Sequence, residues 1–248
     1  MTIQRRTSKA YEDLSFLRSP AARPLRILSE YIEPHDRLER LKVNSTVLFL
    51  GSARIDPRDR KNPLSRYYWE AEELAFRLAR WAIPLRPKGK NFVVCTGAGP
   101  GIMEAANRGA ARAGGKTIGM NIALPHEQAP NRFVSPELSF IFHYFFMRKF
   151  FLISRSRAVI AFPGGFGTLD ELTEAITLIQ THKLGRFPIV LVVREYWEGL
   201  INWLNDKVLT SKNINSEDID IFKVVDTAEE VVNHINAFYR TYELKPNF

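Results

Sequence analysis

A single cysteine, Cys95, stands in a chain of 248 residues. It cannot close an internal disulfide, so a cross-linked secreted scaffold is excluded and a reducing cytoplasm is the expected setting. No apolar run has the length and purity of a membrane span. The nearest to one, "FIFHYFFMRKFFLI" at 140–153, contains His143, Arg148 and Lys149 and falls short of the roughly 20 apolar residues a helix needs to cross a bilayer. The opening stretch, "MTIQRRTSKAYEDLSFLRSP", is broken by charge every few residues and has no apolar segment of signal-peptide length. Blocks of lysine or arginine are missing too. The excess of 35 basic over 27 acidic residues, +8 in all, is spread along the chain. That spread suits a small anionic ligand or plain solubility and argues against a nucleic-acid surface.

Two well-known nucleotide signatures are also absent. Gly115-Lys116-Thr117 has the ending of a P-loop, but Ala110 stands where its upstream glycine belongs. "TGAGPG" brings its third glycine, Gly101, two residues after the second, where a dinucleotide fingerprint needs three. The following "KTIGMNIALP" ends without the acidic residue that would hold a ribose. An NAD enzyme and a P-loop NTPase are thereby set aside, and neither a cofactor nor a metal is expected.

What the chain does have, from Thr46 onward, is alternation. "TVLFLGSAR", "NFVVCTGAGPG", "KTIGMNI", "ELSFIFH", "AVIAFPGG", "FPIVLVV" and "IDIFKVV" read as strands, with amphipathic helical stretches between most of them. Continuous apolar strands alternating with helices predict a parallel sheet covered on both faces. The fold class expected is α/β, a doubly wound Rossmann-like sheet of about seven strands. Residues 1–45 are polar, with amphipathic pieces near Tyr11–Leu17 and Leu25–Leu41. Ile27, Leu28, Tyr31 and Ile32 recur at helical spacing, so a helical N-terminal extension is expected ahead of a domain over 46–248.

Several strands end in glycine, serine or threonine, which places loops at the carboxyl edge, where open parallel sheets bind ligands. Gly97, Gly99 and Gly101 permit a tight turn with free amides, and Pro100 suits the first position of a helix. Gly164, Gly165 and Gly167 repeat the arrangement before a second helix, where a side chain would obstruct close approach of an anion. Tight turning alone would also account for either glycine loop. Thr168-Leu169-Asp170-Glu171 fits a capping box, with Glu171 reaching back to the Thr168 amide. Arg148 argues for another role. It lies among Phe145, Phe146, Phe150 and Phe151, where an unpaired guanidinium is costly, and Glu171 is its favoured partner. Arg155, seven residues on, is expected on the same helix face, with Lys149 and Arg157 solvated at the surface. The aromatic residues of 140–151 serve either as core or as a wall for a stacked base.

These residues resemble a known family. "PGGFGTLDE" at 163–171 is similar to the Pro-Gly-Gly-x-Gly-Thr-x-x-Glu signature of the LONELY GUY family of cytokinin-activating phosphoribohydrolases, and "MRK" at 147–149 to its second motif. "GSAR" at 51–54, "TGAGPGIMEAANRGA" at 96–110 and "LPHEQAPNRF" at 124–133 resemble longer members of that superfamily, often labelled lysine decarboxylases. The likeness runs over about residues 46–195. It implies hydrolysis of the N-glycosidic bond of a nucleoside 5′-monophosphate, AMP-like or a cytokinin riboside monophosphate, to free base and ribose 5-phosphate. It implies Arg148 and Glu171 as catalytic residues. The phosphate would lie on Pro163, Gly164, Gly165, Gly167 and Thr168, with Lys149, Gly99, Gly101 and Glu104 lining the rest of the site and Ser52 and Arg54 weaker candidates. It also implies a homodimer or higher homo-oligomer with the site near the interface. The alternative is a non-catalytic protein that binds or carries a nucleotide or a phosphorylated cofactor.

Overall fold

A computed structural model of the chain describes residues 8–83, 92–124 and 129–242. Residues 125–128 of the "LPHEQAPNRF" stretch, the start of the N-terminal extension at 1–7 and the end of the following domain at 243–248 lie outside them.

Seven strands form one sheet: β1 (Ser45–Leu50), β2 (Phe92–Thr96), β3 (Thr117–Ile122), β4 (Ser139–Phe142), β5 (Ser156–Ala161), β6 (Ile189–Val192) and β7 (Phe222–Val225). Their order is β4-β3-β2-β1-β5-β6-β7, and every pairing is parallel. Among the described residues eight α-helices accompany them: α1 (Leu14–Arg18), α2 (Arg23–Arg40), α3 (Arg66–Ala82), α4 (Ile102–Arg112), α5 (Phe145–Ser154), α6 (Phe166–Gln180), α7 (Arg194–Trp203) and α8 (Ala228–Thr241).

The two-residue period of the strands divides the core into two. Leu48, Leu50, Val93, Cys95, Val159, Ala161, Ile189 and Leu191 face one side, with Leu38 of α2, Phe151 of α5 and Leu172 of α6. Val47, Phe49, Phe92, Val94, Ala158, Ile160, Val190 and Val192 face the other, with Leu74 of α3, Ala106 of α4 and Val231 of α8. Strands buried on both faces have no polar side to show, hence the unbroken apolar runs. The edge strand β4 differs: Phe140 and Phe142 are buried while Ile141 is exposed. The sheet grows from β1 in one direction as far as β4, then restarts beside β1 with β5. That reversal opens a crevice at the carboxyl ends of β1 and β5.

Helix α2 packs on α5 through Ile27 and Tyr31, whose ring lies 5.7 Å from that of Phe150 and 6.1 Å from that of Phe151. Leu28 and Ile32, a helical step of about 100° further round, are exposed. Tyr31 is itself 40% exposed, so of the four apolar residues only Ile27 is partly buried, and the ring of Tyr31 covers Phe150 and Phe151 from the outside. Glu30 accepts the His143 and Tyr144 amides at 2.7 and 3.1 Å, placing a carboxylate at the positive start of α5. Two arginine expectations are corrected. Helix α5 ends at Ser154, so Arg155 leaves the Arg148 face and donates to the Val43 carbonyl and the Glu39 carboxylate. Arg157 sits within a central strand and is buried. The segment expected as the last strand is half as long, because Ser216–Ile221 winds as a 3₁₀ turn before β7.

Helices α3 and α4 cross at Gly109, where an added methyl group would strike the Glu72 carbonyl. Alanine is a better helix former by roughly 1 kcal/mol, but a backbone clash outweighs that gain. Gly109→Ala should lose about 1–3 kcal/mol of stability in urea unfolding; an unchanged midpoint would mean the two helices are free to separate.

Candidate active site

Arg148 leaves α5 pointing under the sheet edge. Its Nε donates to the Met120 carbonyl within β3 at 2.9 Å, and its Nη1 lies 2.9 Å from Glu171 Oε1. A Cβ built on Gly97 would lie 2.6 Å from Arg148 Nη2, so the guanidinium occupies the space that this glycine leaves open. The two side chains are only 11% and 10% exposed. Glu171 is the sixth residue of α6, and it titrates above its ordinary value because it is buried, with Arg148 pulling the other way. A carboxylate tuned upward yet held on an arginine suits a general base at neutral pH. Cys95 lies behind the pair, fully buried, its thiol pushed up to about 12 by burial. It is inert packing.

The capping-box expectation fails on the helix start. Helix α6 begins at Phe166 with Gly165 as its N-cap, so Thr168 is already inside, and Glu171 turns to Arg148 instead of a backbone amide. The first α-helical bond runs from the Leu169 amide to the Gly165 carbonyl. The amides of Phe166, Gly167 and Thr168 therefore donate to no helical carbonyl. Cβ atoms built on Gly165 and Gly167 would meet nothing within 4 Å, whereas one on Gly164 would run into the Thr168 side chain. Phe166 is 91% exposed.

Pro163 and Ser52 join the two halves of the crevice. The Ser52 amide donates to the Pro163 carbonyl at 3.0 Å, and the Ser52 carbonyl accepts the Ile102 amide that opens α4 at 3.1 Å. Ser52 Oγ accepts the amide of Arg54, which is exposed. Helix α4 starts at Ile102 rather than Pro100, with Gly101 as N-cap at φ +66° and ψ −130°. A side chain there would be strained and would strike the Ser52 carbonyl. Glu104, in the first turn, accepts a hydrogen bond from Tyr68 of α3 at 2.9 Å. Lys149 is 2.9 Å from Asp170 and 2.9 Å from Glu174, both on α6. Burial lowers its pKa, but the two carboxylates more than offset this and hold it above the ordinary lysine value.

The structure thus brings Arg148, Glu171, Ser52, Gly99, Gly101, Glu104, Pro163, Gly164, Gly165, Gly167 and Thr168 to one sheet edge and gives Lys149 acidic partners beside it. Of the aromatic residues, Phe140, Phe142 and Phe151 are core, while Phe145 and Phe146 are exposed.

Several supporting residues lay beyond sequence reasoning. Asn131 Nδ2 donates to the Ala98 and Gly99 carbonyls at 3.2 and 3.0 Å and to Asn107 Oδ1 at 2.9 Å. Thr96 Oγ1 donates to the same Asn107 oxygen at 2.7 Å and accepts the Ala98 amide. This buried network holds the first glycine turn from behind. Tyr196 of α7 donates from its hydroxyl to the Gly164 carbonyl at 2.6 Å. Thr96, Asn107 and Asn131 lie inside the 96–110 and 124–133 stretches that carry the resemblance, which was the available signal; Tyr196 lies outside every motif.

A family model described as possible lysine decarboxylase matches residues 103–235, just over half of the chain. Over 96 residues the chain is 32% identical to a cytokinin riboside 5′-monophosphate phosphoribohydrolase of Arabidopsis thaliana, covering 39% of this chain and 44% of that protein. Over 89 residues it is 35% identical to a bifunctional cytokinin biosynthesis protein of Fusarium pseudograminearum, covering 35% of this chain and 18% of the other. The matched segments thus span less than half the length of these relatives. Among solved structures it is similar to TM1055, a structural-genomics target, at a TM-score of 0.55 and 24% identity over 78% of this chain and 99% of that one. The molybdenum cofactor carrier protein of Chlamydomonas reinhardtii aligns at a TM-score of 0.51 and 17% identity over 80% and 99%. At these identities both share the fold alone. No helix among the described residues is long and apolar enough to cross a membrane.

Two outcomes follow from the Arg148–Glu171 geometry. Gly97→Ala should push the guanidinium off its partner without a backbone clash, because the groups in its way are the ends of flexible side chains, Arg148 and Met103, and breaking the buried pair should cost up to about 3–5 kcal/mol. The urea unfolding midpoint should fall; an unchanged midpoint would mean that the pairing tolerates displacement. A carboxyl whose folded pKa exceeds its unfolded one favours folding most when protonated, and this contribution is lost as pH rises from the ordinary 4.5 through the raised value. Wild-type stability should therefore decline relative to Glu171→Gln across that window in urea titrations. Parallel curves would show that Arg148 cancels the effect of burial.

Proposed function

Since the chain belongs to the family described as possible lysine decarboxylase, and its curated relatives include phosphoribohydrolases, we propose that it is a nucleoside 5′-monophosphate phosphoribohydrolase. It hydrolyses the N-glycosidic bond of AMP-like or cytokinin riboside monophosphates, releasing free base and ribose 5-phosphate. The observation that carries this reading is the buried contact of Arg148 with Glu171 at 2.9 Å, beside a helix start whose first amides donate to no helical carbonyl.

In the proposed reaction the phosphate rests on the amides at the start of α6. The helix then presents Glu171 one turn further in, near the sugar. Positive charge develops on the ribose as the C1′–N bond breaks, and a carboxylate beneath it stabilises that charge. Glu171 then takes a proton from the attacking water, whose oxygen bonds to C1′, and that proton passes, directly or through solvent, to the departing base, returning Glu171 to its carboxylate. Arg148 orients Glu171 and assists the base as it leaves. Glu104, which accepts a hydrogen bond from Tyr68, would hold a ribose hydroxyl.

The family's descriptive label implies decarboxylation through pyridoxal phosphate, which the residues do not fit. A Schiff-base lysine must shed its proton, whereas Lys149, the lysine whose charge reaches Glu171, is held protonated by Asp170 and Glu174. A carrier of a phosphorylated cofactor has fold likeness alone in its favour. The family resemblance also supports a homo-oligomer, which would cover Phe145, Phe146 and Phe166.

The deciding experiment is a panel of nucleoside monophosphates with chromatographic detection of released base. Base should be released from at least one of them, and Glu171→Ala and Arg148→Ala should each lower kcat by about 10²–10⁴-fold with the fold retained. Tight binding without release from any member of the panel would overturn the enzyme in favour of the carrier.

A further inference from the structure

We propose that Tyr196 is a positioning residue for the anion seat: it holds the Gly164–Gly165 peptide from behind, so that its amide faces the phosphate. This inference rests on the phosphate placement argued above. The Tyr196 hydroxyl, 2.6 Å from the Gly164 carbonyl, is the donor side of a clamp on a single peptide group. In a trans peptide the carbonyl and the following N–H point in opposite directions, and no described peptide bond is cis. A donor fixed on the Gly164 oxygen therefore turns the Gly165 N–H directly away from Tyr196. Accepting that hydrogen bond also polarises the peptide and strengthens the same N–H as a donor. The preceding peptide is treated alike: the Ser52 amide holds the Pro163 carbonyl at 3.0 Å, which aims the Gly164 N–H the other way.

Tyr196 is itself held in place. Val193, the N-cap of α7, sits at φ +82° and ψ 82°, a conformation that a β-branched residue adopts only when its surroundings impose it. Its amide donates to the Val225 carbonyl, the Arg194 amide donates to Asp226 Oδ1, and the buried Trp197 donates from its indole to the Val192 carbonyl. The strain at Val193 fixes where α7 begins, and hence where the hydroxyl three residues later can reach. Tyr196 as a whole is 41% exposed, so the hydroxyl rather than side-chain burial is the feature to remove.

The test uses the full chain and its Tyr196→Phe variant. Calorimetry measures ribose 5-phosphate and, separately, inorganic phosphate; unfolding midpoints are taken in parallel. Tyr196→Phe should bind both anions about five- to tenfold more weakly, the scale of one hydrogen bond, with an unchanged midpoint. In turnover KM should rise while kcat holds, a split that a general loosening of the fold would not give. Equal binding by the two proteins, or equal loss of kcat and affinity, would overturn the clamp while leaving the phosphoribohydrolase reading intact. If the wild type binds neither anion, the phosphate seat itself fails, and the clamp with it.

Discussion

An arginine and a glutamate, each nearly withdrawn from water, meet across two helices, and the site is built around that contact. Removing either alone would strand a buried charge at a cost of about 3–5 kcal/mol. The sheet accommodates the pair: Gly97 leaves room for the guanidinium, and the Met120 carbonyl takes its third direction. Glu171 can be raised in pKa and remain close to a cation because burial and Arg148 pull in opposite directions. Burial, the stronger of the two, makes the carboxyl a poor contributor to stability at high pH.

Around this pair the architecture performs a division of labour. Two glycine turns end neighbouring regions of the sheet, and both have their carbonyls occupied from behind, by Asn131 in one case and by Ser52 and Tyr196 in the other. Amides are thereby left for the crevice, where the reversal of strand order between β1 and β5 separates the loops. The nearby cations are already engaged: Arg148 with Glu171, Lys149 with carboxylates on α6, and Arg108 and Arg58 with the charge of Glu104. The net charge of +8 therefore says little about where an anion would bind.

The sheet was legible because its strands are apolar on both faces, and a continuous apolar run ending in glycine suits a buried strand better than any other element. Arg148 was legible for the opposite reason, as a charge amid phenylalanines that required a partner. Where sequence reasoning failed, the deciding contact was remote. Thr168 and Glu171 have capping-box spacing, but the box assumes that the helix begins at Thr168, and Gly165 opens it three residues earlier. Arg157 reads as a surface charge until β5 is found in the middle of the sheet. Leu28 and Ile32 share a periodicity with Ile27 and Tyr31, yet periodicity does not say which of two adjacent faces will be covered. Tyr196 lies 32 residues from the carbonyl it serves, beyond any local pattern.

Glu30 caps the amides that begin the Arg148 helix from 113 residues upstream. A chain made from its amino end produces α2 long before the segment it must meet exists. Until then the apolar flank of α2 has nothing to cover it, and the nascent protein passes through a stage in which self-association competes with docking. Misassembly of the amino-terminal helices would therefore reach the Arg148–Glu171 pair through the start of α5.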